Sequence, residues 1–172
     1  MDKQINFNPA QLKELCDAVL IAEELVSNHY KMSSAQWLRS RYDIKTLSEL
    51  EGNEIVDGPF AQVLGYNVRK KDGELGSGVT NYYRVCFQDS TILNKIAQNK
   101  ELRLLPFLVY ITVHELVHIV RFSKFEQIYS ASSESQCAIE EERKVHSITA
   151  SILNRVAISG MDKVLLYYKK WL

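Results

Sequence analysis

The chain has 172 residues, the size of one ordinary domain. Hydrophobic residues make up 46% and charged residues 24%, enough apolar material for a core and too little charge for a disordered polymer. Lysine plus arginine equals aspartate plus glutamate at 21 each, which excludes a global field that would gather nucleic acid or an anionic membrane.

From the N-terminus, Pro9 to about His29 carries Leu12, Leu15, Cys16, Val19, Leu20, Ala22 and Val26 at helical spacing, with Pro9 in the tolerated first turn. Ser33 or Ser34 predicts the cap of a short second helix through Trp37 and Leu38, and Asp43 the cap of a third through Leu47 and Leu50. Residues 1–52 therefore read as a helical layer. Trp37 to Gly52 bears only a faint likeness to a helix-turn-helix, too poor in basic residues to count as a DNA reader. Phe60–Arg69 and Val79–Gln88 are rich in β-branched and aromatic residues and flank a glycine-rich stretch, predicting an antiparallel hairpin over 60–88. A further short strand is needed to complete the sheet, and the pattern does not locate it. Thr91–Asn99 predicts a short helix, and Pro106 opens a long one to about Phe122. A polar loop follows over Ser123–Ser132. Ser133 and Gln136 have capping-box spacing for a helix running to about Ile158, where Gly160 stops it. Met161–Leu172 closes the chain as an amphipathic helix that covers the core. The expected fold class is α+β and mostly α, one domain over 1–172.

The three cysteines, Cys16, Cys86 and Cys137, are odd in number and far apart, which argues against a disulfide framework or a thiolate zinc site and suits a reducing compartment. Asp2, Lys3, Lys13, Glu14 and Asp17 interrupt any signal-peptide run. Leu104–Val120 is the most apolar stretch, but His114, Glu115 and His118 divide it below the about 20 residues that a bilayer requires. The expectation is a cytoplasmic protein with no membrane span.

Those three residues carry the chemistry. His114-Glu115-Leu116-Val117-His118 is an HExxH motif inside a predicted helix, and residues four apart share a face. Two imidazoles so placed can grip one zinc ion, while Glu115, one residue round, can reach a metal-held water as general base. A helix apolar nearly all round is buried, so an ionised glutamate and two imidazoles there need a partner, which a cation supplies. The bland alternative is two core histidines bonded to carbonyls and a glutamate paired with an arginine. A metzincin-type third histidine would fall at position 124, which is lysine. Candidates for a third ligand lie within Ile139–His146.

Glu142-Arg-Lys-Val-His146-Ser-Ile-Thr-Ala-Ser-Ile-Leu153 resembles the third-ligand helix of minimal gluzincins, particularly the ImmA/IrrE-type peptidases. That pattern runs from a ligand glutamate through a small residue and an Asn or Asp to paired aliphatics. The resemblance, over Pro106–Leu153, implies a zincin-like domain with metal-binding helices over 106–158 and Glu142 as third ligand. It also implies a peptide substrate held on the strand before the active helix, here Val79–Phe87. His146 departs from the pattern, standing where an Asn or Asp is usual. Four residues from Glu142, it either supports that carboxylate or itself ligates the metal. The implied activity is zinc-dependent peptide hydrolysis, with His114, His118 and Glu142 on Zn2+ and Glu115 catalytic. Tyr129, Arg121 and Tyr83 are candidate oxyanion donors. A rival reading is a non-catalytic, zinc-stabilised protein-interaction module. A di-iron carboxylate site would need a second ExxH pair, which the sequence lacks.

Overall fold

The computed structural model describes residues 4–37, 40–68, 80–129 and 135–172. Helix α1 spans Pro9–Tyr30, and both ends follow local chemistry. The Asn8 side chain accepts from the Gln11 amide and the Gln11 side chain accepts from the Asn8 amide, each at 2.9 Å, so two otherwise unpaired donors are satisfied. Lys31 ends the helix in the left-handed region. Its buried face is Leu15, Ala18, Ala22 and Val26, narrower than the predicted stripe: Leu12 and Leu20 are exposed.

Helix α2, Ser34–Trp37, matches the predicted short second helix as far as Trp37, Leu38 lying outside the described residues, but the third helix expected after Asp43 does not form. Strand β1, Ser40–Lys45, stands there instead and is the strand whose place the sequence pattern left open. Tyr42 and Ile44 turn one face to the core, and Asp43 faces Arg84 directly across the sheet. The Asp43 carboxylate accepts from Arg84 at 3.1–3.2 Å and so is engaged in a cross-strand ion pair rather than a helix cap. Among the described residues of 37–52 there is no helix-turn-helix; short 3-10 turns at Leu47–Glu49 and Gly52–Glu54 follow the strand.

Strands β2, Ala61–Val68, and β3, Thr80–Phe87, form the predicted antiparallel pair, and the glycine-rich stretch between them lies outside the described residues. The order is β1-β3-β2, with β1 parallel to β3. The sheet is therefore mixed, not wholly antiparallel. It also corrects the expected peptide edge: β3 is central and paired on both sides, so its backbone has no free edge.

Helix α3 spans Asp89–Gln98, α4 Leu104–Tyr129, α5 Ser135–Leu153 and α6 Met161–Tyr168. The predicted polar loop after Phe122 is helical as far as Tyr129, and α5 ends five residues before Ile158. The proposed cap at Ser133 lies outside the described residues. Gly160, in the left-handed region, sits just before α6. Helix α4 is the axis of the fold, packed by α1, the sheet, α5 and α6. Phe107, Leu108, Val109, Val113, Leu116 and Val117 are fully buried, and Thr112 satisfies its hydroxyl on the Leu108 carbonyl at 2.7 Å. Leu104–Lys124 is long and apolar enough to cross a membrane by length and composition, against the shorter count made from the sequence; 78% of its 18-residue apolar window is buried inside this protein. All three cysteines are free, Cys86 buried and the other two exposed.

Candidate metal centre

Tyr110, His114 and His118 follow one another at steps of four along α4 and share a face. Opposite them, α5 presents Glu142 and His146, again four apart. The Arg121 guanidinium donates to Glu141 at 2.9 Å and ties the two helices beside the site. Glu141 is thus an inter-helix tether rather than the solvated residue its neighbour Glu140 is.

The predicted ligands come together. His114 Nε2 lies 2.9 Å from Glu142 Oε1, His118 Nε2 lies 3.1 Å from Glu142 Oε2, and the two Nε2 atoms are 3.1 Å apart. His146 joins them, its Nε2 3.4 Å from Glu142 Oε1 and its Nδ1 2.8 Å from the Tyr110 hydroxyl. Single ligand atoms of His114, Glu142 and His146 all fall within 4.8 Å of one another. The Nδ1 atoms of His114 and His118 are buried with no hydrogen-bond partner among the described residues, so the polar contacts of both rings are at Nε2. Imidazole nitrogens and a carboxylate crowded about one point are an acceptor-rich set suited to a divalent cation.

Electrostatics sharpen the roles. Burial alone would raise the Glu142 carboxyl, but hydrogen bonds from His114, His118 and His146 outweigh it and hold it far below the usual carboxylate range. Burial lowers His114 to about 4, which keeps it neutral, the form that ligates. Burial raises Glu115 to about 7, Glu142 adding to the shift and His118 opposing it. No side chain among the described residues hydrogen-bonds Glu115, and the bland pairing with an arginine is not found: Arg121 turns to Glu141.

Glu115 lies at a cleft of roughly 660 Å³ that also takes in His114, Glu142 and His146. One wall is the segment entering β2, through Phe60 and Ala61. Another is α3, and a third is the chain end with Tyr168 and Trp171. Lys95 and Lys170 stand at this rim with their ammonium groups 5.9 and 5.3 Å from the Tyr167 ring. Of the oxyanion candidates, neither Arg121 nor Tyr83 lines the cleft. Arg121 is engaged by Glu141, Tyr83 is buried and stacks on Phe122, and the Tyr129 side chain lies outside the described residues.

The reading from sequence missed Tyr110, Tyr168 and Trp171. Tyr110 had a signal, its spacing of four from His114. Tyr168 stacks on Tyr110 with centroids 3.9 Å apart and planes 5° from parallel, and Trp171 stacks on His146 at 5.6 Å. The terminal helix thus covers the core as expected, with Val164 and Tyr168 buried, and also walls the site. No family model matches this sequence, and no match was found among curated proteins or solved structures.

Proposed function

We propose that the protein is a zinc-dependent metallopeptidase that hydrolyses a peptide bond in a specific protein substrate. One observation carries the reading: two imidazoles and a carboxylate from separate helices meet at 2.9–3.1 Å beside an unpaired glutamate on an accessible cleft. His114, His118 and Glu142 hold the ion, and Zn2+ suits that nitrogen and oxygen set. When bound, the ion acidifies water and polarises the scissile carbonyl.

Glu115 accepts the proton of the attacking water on its carboxylate and delivers it to the departing amine. Its buried position keeps its proton affinity close to neutral, where both transfers are feasible. The fixed walls from Phe60 to Trp171 exclude bulk water and orient the chain. An extended substrate runs beside β2, an edge strand whose start borders the cleft, rather than beside the central β3.

The test compares zinc-loaded wild type with Glu115→Gln in a cell extract, reading new peptide N-termini by mass spectrometry. Hydrolysis falls by about 10²–10⁴-fold while zinc content stays unchanged. Equal cleavage by both proteins, or none by either, removes the proposal. The rival, a metal that only pins α4 to α5 in a protein-binding module, draws support from the extra nitrogen of His146. It requires that Glu115→Gln change neither zinc content nor biological activity.

A further inference from the structure

We infer that His146 is a fourth protein ligand of the metal, set in place by Tyr110. The inference rests on the proposed metal site but not on the hydrolysis assigned to it.

Four observations carry it. His146 is only 5% exposed, with a second helix, a tyrosine pair and Trp171 about it, so its ring is not a rim group free to turn outward. Its Nε2 faces the cluster, 3.4 Å from Glu142 Oε1, and its ring centroid is 4.3 Å from that of His114. One donor atom each from His114, Glu142 and His146 lies within 4.8 Å of the others, close enough for all three to converge on one ion.

The third observation is what His146 does not do. A residue acting behind the ligands would accept from the outer nitrogen of a ligating histidine or donate to the Glu142 carboxylate. The Nδ1 atoms of His114 and His118 are buried with no hydrogen-bond partner among the described residues, so His146 does not do the first, and the His146→Asn variant separates the second from ligation. The fourth is that His146 has its own supporting group. The Tyr110 hydroxyl stands 2.8 Å from Nδ1, so when an ion replaces the proton on Nε2 that hydroxyl is the acceptor at hand for Nδ1–H. Tyr110 is in turn clamped by its near-parallel stack on Tyr168. The site thus holds three imidazoles and one carboxylate, with Tyr110 as a positioning residue.

Zinc X-ray absorption on the full chain counts the imidazoles. Wild type shows three, and His146→Asn shows two, with Zn2+ and Co2+ affinity down by at least about tenfold. Asparagine is the informative replacement, because a merely supporting role would be restored by it. Tyr110→Phe keeps the ring stack and loses the hydroxyl. It lowers Co2+ affinity by about ten- to a hundredfold and leaves the count at three. Two imidazoles in the wild type, or an unchanged count and affinity in His146→Asn, overturn the inference even if that variant folds poorly, since the wild-type count decides alone. If the wild type holds no zinc, the proposed function falls as well. Three imidazoles with undiminished hydrolysis in Glu115→Gln would sink the peptidase reading and leave this ligand set standing.

Discussion

Glu115 and Glu142 are two carboxylates whose surroundings drive them in opposite directions. Three imidazoles hold Glu142 charged, while burial without a hydrogen-bonding partner raises Glu115 to about 7. Between its ordinary value near 4.5 and about 7, the folded metal-free protein binds a proton at Glu115 that the unfolded chain releases. Stability from this group therefore falls as pH rises through that window, and the shift corresponds to about 3 kcal/mol at most. Metal-free Glu115→Gln lacks this loss. Its urea midpoint relative to wild type should climb between pH 5 and pH 8, and a constant difference would show that burial does not set the Glu115 proton. The HExxH spacing was legible because a step of four on a helix is a local property. The depressed Glu142 was not, since it depends on imidazoles from another helix.

At the scale of elements, Asp89 shows how the layers are joined. Its carboxylate accepts the Phe7 amide at 2.8 Å and the Leu47 amide at 3.0 Å, so the start of α3 ties the chain before α1 to the turn after β1. Burial raises its pKa, and those amides oppose the shift. Asp89→Ala strands two buried donors and should cost about 2 kcal/mol or more, read as a lower urea midpoint with an unchanged slope. The helices α1 and α4 and the β2–β3 pair were legible from apolar period and turn chemistry. Strand β1 was not. Asp43 followed by leucines reads as a capped helix until Arg84, far along the chain, supplies its ion pair across the sheet.

Across the whole molecule, the metal site is where α4, α5 and the chain end meet. Because its donors lie on two helices, an ion that binds only the folded form stabilises the whole domain, by about 4 kcal/mol at a thousandfold excess over Kd. Added Zn2+ should raise the thermal midpoint of chelator-treated wild type. The rise should be much smaller in Glu142→Gln, whose side chain loses the charge that both α4 imidazoles face. Equal shifts in the two proteins would place the ion elsewhere.

The amino-acid order alone determined that two imidazoles and a glutamate share one turn of a buried helix, and that a hairpin and flanking helices surround it. These are matters of period, capping and apolar count within a few residues. Only the tertiary structure decided that Glu141 turns to Arg121, that His146 faces inward with Tyr110 behind it, and that the terminal helix walls the cleft. The rotation of one packed helix about another is set by the whole core, and no local spacing encodes it.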